Sequence, residues 1–238
     1  MTGTIPPEDH HRDVTGGWLR PAVFGAMDGL VSNFALMAGV AGGSAALGAG
    51  TTGIVLAGLA GLAAGAFSMA AGEYTSVASQ AELAEQEFEN ERIELRRNAE
   101  GEAKELAQIW VRRGVDLELA EAVAMQLGRN PEMALEVHAK EEIGLAPGEL
   151  PNPWVAAGSS FLAFSLGALI PLLPYFFGVQ VLWPSAILSM LGLFGAGALV
   201  SRVTARTWWF SGLRQLFVGV LAAVVTYGVG TVVGTSLS

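Results

Sequence analysis

Five long apolar stretches alternate with polar segments along the chain, and each is long enough to cross a membrane. A transmembrane helix needs about 20 mostly apolar residues. The stretches run from Leu19 to Val40, Thr52 to Ser79, Trp154 to Phe177, Gln180 to Val200 and Leu213 to Val233. This pattern predicts an all-α integral membrane protein with five transmembrane helices. Pro171 and Pro174 are expected to kink or end the third helix, because proline lacks the N–H that a helix interior needs.

A polar segment from Gln80 to Leu150 separates the second and third stretches, and its periodicity predicts a helical insert. The first helix continues from the second span to about Asn98. The next three are expected at about 101–114, 117–127 and 131–144, with Pro131 in a first helical turn and Gly144 as a stop. The core of the insert is expected to come from Leu83, Phe88, Ile93, Leu95, Leu106, Ile109, Trp110, Leu119, Val123 and Leu127.

The distribution of Lys and Arg predicts the orientation, since cytoplasmic loops are enriched in these residues. The chain has 13 of them, and a five-span topology places all of them on one side. The N-terminus, the insert and the loop before the fifth span are then cytoplasmic, and the C-terminus lies outside. The predicted organisation is a polar tail (1–18), two transmembrane helices (19–79), an acidic cytoplasmic domain (80–150) and three further transmembrane helices (151–238).

The composition narrows the function classes. Only 15% of residues are charged, against about 25% in soluble domains. The chain has no Cys, which excludes disulfides and thiolate metal sites. The net charge of −9 argues against nucleic acid as a partner. The polar tail lacks the basic start and apolar core of a signal peptide, and together with the abundance of Ala and Gly this favours a bacterial inner membrane.

Two acidic residues, Asp28 and Glu73, fall inside the predicted spans. An ionised group at membrane depth is costly and usually faces a polar pathway. At about 1.5 Å per residue, Asp28 and Met69 lie at similar depths, about 14 and 15 Å from the cytoplasmic side, and Glu73 lies at about 9 Å. Met69 and Glu73 share a stripe of the second span with Gly61 and Gly65, and small residues at this spacing allow close helix packing. The stripe is therefore expected to face another helix.

Each of these three residues also has a simpler interpretation. Met69 alone is more typical of packing than of a ligand. Asp28 is open to a structural role, neutral and hydrogen-bonded near Ser32 and Asn33, and Glu73 to a place in interfacial water. The three together favour a polar pathway for a divalent metal ion.

The insert contains 17 acidic and 8 basic residues. Its carboxylates recur at helical spacing, as in the pairs Glu91–Glu94 and Glu102–Glu105. Like charges three or four residues apart share a helix face and repel by about 0.2–0.5 kcal/mol per pair. The basic residues relieve this repulsion only in part, and a bound cation would relieve the rest.

In this order, the motifs of the chain resemble those of the vacuolar iron transporter family. They are Asp28-Gly29-Leu30-Val31, Ala64-Gly65-Ala66-Phe67-Ser68-Met69, Gly72-Glu73-Tyr74, the Glu-rich insert, Glu141-Glu142-Ile143-Gly144-Leu145 and Pro171-Leu172-Leu173-Pro174-Tyr175. The resemblance implies a homodimer of five-helix protomers, with the ion path along the dimer axis and a metal-binding domain in the insert. It also implies export of Fe²⁺ from the cytosol in exchange for protons, by a transporter and not an enzyme.

Carried over by position, the resemblance implies Asp28 and Met69 as ligands in the membrane path. In the insert it implies a larger ligand set: Glu91, Glu94, Glu102, Glu105 and Glu142. One turn before Glu142, where some members have Met, this chain has His138, a predicted ligand because imidazole suits Fe²⁺ and Zn²⁺. Some members have an acidic residue at the position of Gly61, for which Glu73 is a partial substitute.

The leading hypothesis is a divalent-metal/proton exchanger in the lipid bilayer. Carboxylate-rich sites without thiolates favour hard or borderline ions, so Fe²⁺ is the first expected substrate and Mn²⁺ the second, with Zn²⁺ as a further ion that the insert binds. No permanent cofactor is expected. The first alternative is a membrane-anchored metal buffer or sensor that does not transport. The second is a solvated acidic domain that binds a protein partner.

Overall fold

The computed structural model describes residues 17–47, 50–202 and 206–237, and every regular element within these ranges is a helix. Most of the predicted polar tail, residues 1–16, lies outside the described residues. The helices are α1 (Leu19–Leu47), α2 (Thr52–Arg97), α3 (Ala99–Arg112), α4 (Leu117–Leu127), α5 (Pro131–Glu142), α6 (Pro153–Leu169), α7 (Leu173–Phe176), α8 (Leu182–Val200) and α9 (Trp208–Leu237).

Five helical stretches of the described chain are long and apolar enough to cross a membrane. They are Leu19–Ala45, Thr52–Arg97, Pro153–Phe176, Leu182–Val200 and Trp208–Ser236. The predicted all-α class and the five membrane helices are therefore confirmed. The fifth helix begins at Trp208, earlier than the predicted Leu213.

The chain divides into two compact units, Met1–Thr75 with Pro153–Ser238, and Ser76–Asn152. We refer to them as the membrane unit and the acidic unit. In the membrane unit, α1 packs against α6, α8 and α9. Glycine allows a close approach of α1 and α6: a Cβ on Gly25 would lie 2.8 Å from the Ser160 carbonyl oxygen, and one on Gly29 would overlap the Phe164 carbonyl. Because no side chain separates the backbones there, α1 and α6 lie in direct contact.

The third membrane helix breaks at its prolines. After α6 ends at Leu169, Ile170–Leu172 form a 3-10 turn, and Pro174 lies in the first turn of α7. The Ser185 hydroxyl of α8 donates to the Pro171 carbonyl, which satisfies a buried acceptor at the break. The predicted effect of Pro171 and Pro174 is confirmed.

The helices of the acidic unit begin and end at residues with clear local signals. Asn98 accepts a hydrogen bond from the Gly101 amide at 3.1 Å and caps α3. Asn130 accepts from the Glu132 amide at 3.1 Å and caps α5, with Pro131 in its first turn. Gly144 follows α5 with a φ of +81°, a conformation that favours glycine. These breaks lie within two residues of the predicted ones.

The predicted core of the acidic unit is only partly correct. Phe88 and Leu106 are buried, but most of the other fully buried apolar residues are alanines: Ala84, Ala107, Ala120, Ala124, Ala134, Ala139 and Ala146. Four predicted core residues are exposed instead: Leu83, Ile93, Leu119 and Val123. Leu95, Ile109, Trp110 and Leu127 are half-buried. The helices meet along alanine faces, because a small side chain lets two backbones approach. Trp110 and Leu127 pack at the edge of such a contact, whereas the four exposed residues lie outside it.

Candidate functional site

Three helices of the acidic unit bring together five of the predicted ligands. Helix α2 contributes Glu91 and Glu94, α3 contributes Glu102, and α5 contributes His138 and Glu142. Glu91 and Glu94 lie one turn apart, as do His138 and Glu142, so each pair shares a helix face. Residues from three different helices thus form one acidic cluster.

His138 lies at the centre of one side of this cluster. Its Nδ1 is 3.2 Å from Glu91 Oε1 and 3.4 Å from Glu142 Oε1. Both His138 and Glu91 are buried, with exposed fractions of 2% and 6%. Glu91 Oε1 makes no hydrogen bond of good geometry among the described residues, and its polar neighbour is the His138 nitrogen. With Nδ1 unprotonated, this nitrogen and the carboxylate oxygen both offer lone pairs to a cation.

The cluster contains two overlapping groups of possible ligands. Glu91, His138 and Glu142 form the first, and Glu91, Glu94 and Glu102 the second; within each group the ligand atoms lie within 4.8 Å of one another. Glu91 belongs to both. A cleft of about 320 Å³, lined by Glu91, Glu94 and Glu142, opens onto the cluster. Imidazole and carboxylate ligands at this spacing suit Fe²⁺, Mn²⁺ or Zn²⁺.

The electrostatics of the cluster also favour a cation. Burial, followed by repulsion from Glu142, Glu102, Glu94 and Glu105, raises the pKa of Glu91 to about 7. Burial also raises the pKa of Glu102, with repulsion from Glu105 as the second cause. A bound divalent ion would stabilise the ionised form of both groups. Glu105 is exposed and belongs to neither group of three, but its charge acts on both of these carboxyls.

Glu141 helps to hold α3 and α5 together beside the cluster. The Trp110 indole N–H donates to Glu141 Oε1 at 3.2 Å, and Arg113 lies 2.5 Å from Glu141 Oε2. The hydrogen bond from Arg113 lowers the pKa of Glu141. The Glu141 carboxylate is therefore paired with Trp110 and Arg113, whereas the adjacent Glu142 belongs to the acidic cluster.

A second candidate site lies in the membrane unit, where α1, α2 and α6 meet. A cleft of about 270 Å³ is lined by Asp28, Ser32, Asn33, Leu36, Gly61, Gly65, Ser68, Met69 and Phe164. Asp28 and Met69 line the same cleft, in agreement with their matched depths. Gly61, Gly65 and Met69 face α1 and α6 along this cleft, as expected for the stripe. Glu73, the fourth member, is half-buried and is not among the residues that line the cleft.

The polar neighbours of Asp28 make hydrogen bonds to the backbone. The Ser32 hydroxyl donates to the Asp28 carbonyl at 2.6 Å, and the Asn33 amide donates to the Ala168 carbonyl at 2.6 Å. Neither bond engages the Asp28 carboxyl, which weakens the interpretation of Asp28 as a hydrogen-bonded structural group. Asn33 lines the cleft but is not among the predicted site residues. The signal for it in the sequence is an amide side chain within an apolar span.

Comparison with known proteins identifies the family of the chain. A vacuolar iron transporter from Acanthamoeba castellanii (strain ATCC 30010 / Neff) is 37% identical over 221 residues, which covers 91% of this chain and 78% of the relative. Vacuolar iron transporter 2 from Oryza sativa subsp. japonica is 32% identical, covering 94% and 92% of the two chains. Vacuolar iron transporter 1 from Arabidopsis thaliana is 32% identical, covering 97% and 95%. The sequence profile of the VIT family matches residues 19–231, and the chain, an integral membrane protein, belongs to that family.

Proposed function

We propose that this protein transports divalent metal ions across its membrane, with Fe²⁺ as the first substrate and Mn²⁺ as the second, out of the cytosol and in exchange for protons. The observation that carries the proposal is the cleft that Asp28 and Met69 share. A protein that only anchors a binding domain has no need of a carboxylate and a thioether on one cleft between membrane helices. The names of the relatives, vacuolar iron transporters, support a metal ion as the substrate.

The two side chains supply complementary chemistry. The Asp28 carboxylate offers a negative charge that attracts a divalent ion, and it takes up a proton when the ion leaves. The Met69 thioether is a soft ligand that favours transition metals over Mg²⁺ and Ca²⁺. Exchange of ion against proton at Asp28 would couple the two movements.

The acidic unit would gather ions before transport. Glu91 belongs to both groups of ligands, and its pKa of about 7 means that it exchanges a proton for a metal ion near neutral pH. Zn²⁺ fits the same cluster because His138 offers an imidazole nitrogen. The ions are substrates here, and the proposal requires no resident cofactor.

The orientation follows from the basic residues, which a five-span topology places on one side. We propose that the N-terminus and the acidic unit are cytoplasmic and that the C-terminus lies on the other side. A homodimer is proposed from the family resemblance alone. The bacterial inner membrane stays a prediction, whereas the three relatives named above are eukaryotic proteins whose names refer to the vacuole.

The alternative is a membrane-anchored metal buffer or sensor. It is favoured by one observation: both groups of candidate ligands lie within the acidic unit, Ser76–Asn152. In that case metal binding would not depend on Asp28, and no ion would cross the membrane.

Transport by proteoliposomes separates the two functions. Purified protein would be reconstituted with a fluorescent Fe²⁺ or Mn²⁺ reporter inside and a proton gradient imposed across the membrane. We expect uptake by the wild type, and no uptake by Asp28→Asn, since the amide carries no charge and takes up no proton. This variant should still fold, because an ionised carboxylate in a membrane costs stability. Asp116→Asn, which neutralises an exposed carboxyl in the acidic unit, should transport like the wild type.

Unchanged transport by Asp28→Asn would refute the membrane pathway and favour the buffer. The role of the acidic unit is tested separately by calorimetry with Mn²⁺. The double variant Glu102→Ala/Glu105→Ala should bind Mn²⁺ at least tenfold more weakly, because one ligand and two charges are lost. Equal affinity of the variant and the wild type would contradict the assignment of the cluster.

A further inference from the structure

Asn33 has a fixed orientation in the membrane unit. Its side chain is only 2% exposed, and its amide nitrogen donates to the Ala168 carbonyl of α6 at 2.6 Å. If the amide were turned around, its oxygen would face the Ala168 oxygen, and two acceptors would repel. The bond to α6 therefore determines that Oδ1 points the other way.

Oδ1 of Asn33 is buried and has no hydrogen-bond partner among the described residues. Buried polar atoms are almost always paired, so an unpaired one needs an explanation. A Cβ built on Gly61 would lie 2.7 Å from this oxygen, so Oδ1 faces α2 at Gly61. Both residues line the cleft that contains Asp28 and Met69. The unpaired oxygen thus lies between α1 and α2, in the wall of the cleft where the transported ion is proposed to bind.

Asn33 follows Asp28 by five residues on α1, which corresponds to about 7.5 Å along the helix axis. An ion that leaves Asp28 along the cleft towards Gly61 therefore passes Ser32 and then reaches the level of Asn33. An amide oxygen is a ligand that divalent cations accept. It carries no charge, so it holds an ion weakly and does not take up a proton.

We propose that Asn33 Oδ1 is a neutral oxygen ligand for the divalent ion in the cleft, one step beyond Asp28. This inference rests on the proposed transport function. The proposed ligand also requires glycine at position 61, because a side chain there would press against Asn33 Oδ1 and cover it. The oxygen is covered by α2 in this structure, and an ion reaches it when α2 moves away from α1 at this level.

The test compares two substitutions of Asn33 with opposite effects on the ion. Asn33→Leu has a similar volume and no oxygen. Asn33→Asp keeps an oxygen towards Gly61 and adds a charge. It also replaces the amide donor to the Ala168 carbonyl by a second oxygen, so the folding of this variant is checked first. Ser189→Ala is the matched control: Ser189 is also buried in the membrane unit with an unpaired oxygen, but it does not line the cleft. All variants would be reconstituted in proteoliposomes, and KM and maximal rate measured for Fe²⁺ and for Mn²⁺.

In Asn33→Leu we expect KM to rise about tenfold, which corresponds to about 1.4 kcal/mol. In Asn33→Asp we expect KM to fall and the maximal rate to slow, because a charged ligand releases the ion less readily. Ser189→Ala should match the wild type. Size-exclusion chromatography in detergent identifies a variant that fails to fold. If one Asn33 variant fails, the direction in which KM changes in the other variant tests the ligand role. A purely structural role would not move KM in opposite directions.

Three results would overturn the inference. Unchanged KM in folded Asn33 variants, with an active wild type, refutes the ligand role but leaves the proposed transport intact. If KM changes equally in Ser189→Ala, the effect comes from the loss of any buried polar group and not from a ligand at Asn33. A wild type that takes up neither ion refutes the proposed transport and this inference with it.

Discussion

Replacing Glu91 by Gln tests whether the ionised carboxylate of Glu91 destabilises the folded acidic unit when no metal is bound. Glu91 is 6% exposed, and four neighbouring carboxylates act on it. Gln has nearly the same shape as the protonated Glu and carries no charge at any pH. The variant should therefore stabilise the metal-free acidic unit at neutral pH and weaken its affinity for metal.

The magnitude follows from the pKa of Glu91, which rises from an ordinary value of 4.5 to about 7. At about 1.4 kcal/mol per pKa unit, ionised Glu91 costs the folded unit about 3 kcal/mol. The sign follows from linkage: the folded state binds the proton more tightly, so the wild type loses stability as the pH rises from 4.5 to about 7. Below pH 4.5 the carboxyl is protonated in both states, and the substitution should have little effect.

Hydrogen exchange of the full chain in detergent measures this difference locally, since amides of the unit exchange when it opens. With a chelator present, amides of α5 in Glu91→Gln should exchange up to about 100-fold more slowly than in the wild type at pH 8, with the difference vanishing near pH 4.5. Glu136→Gln is the matched control, because Glu136 is exposed on the same helix as His138. The ratio of variant to wild type at each pH removes the intrinsic pH dependence of exchange.

Addition of Mn²⁺ should reverse the order of stability. A bound ion stabilises the ionised Glu91 of the wild type, whereas the variant has lost a charged ligand. The affinity of the wild type should rise between pH 6 and pH 8, because metal must displace the proton on Glu91. A difference between variant and wild type that does not change with pH, or that favours the wild type without metal, would refute the reasoning.

The remaining predictions concern topology, packing and the membrane path. A cysteine at Gly50 should be labelled by an impermeant reagent from outside and one at Glu118 only from the cytoplasm; labelling of both from one side would contradict the five-span topology. Gly29→Ala should cost about 1–3 kcal/mol in thermal unfolding, since its Cβ would overlap the backbone of α6, whereas Gly158→Ala, with open space around the site, should be neutral. Met69→Leu should change the preference between Fe²⁺ and Mn²⁺ but leave a measurable transport rate, because it removes the thioether and retains a similar volume.

Much of the fold could be predicted from the sequence because its signals are local. Twenty or so apolar residues suffice for a membrane helix, so the five spans needed no tertiary information. The breaks in the acidic unit are local too: Asn98 and Asn130 bond to amides within three residues, and Gly144 adopts a positive φ.

The core of the acidic unit required the tertiary structure. Periodicity identifies an apolar face, but Leu83 and Ile93 are as apolar as Phe88 and lie exposed. Which face is buried depends on how closely two helices approach, and here the alanines of α2 to α5 permit that contact. Apolar character alone therefore predicted the wrong residues.

The candidate sites divide in the same way. The sequence places Glu91 beside Glu94 and His138 beside Glu142, because residues one turn apart share a helix face. Only the fold brings Glu91 to within 3.2 Å of His138, although 47 positions separate them in the chain. Only the fold, too, buries Glu91 among the carboxylates that, together with burial, raise its pKa. Asn33 is visible in the sequence as an amide within an apolar span. That its oxygen is unpaired is decided by the tertiary structure: the amide nitrogen donates to the Ala168 carbonyl, and Gly61 leaves space beside the oxygen.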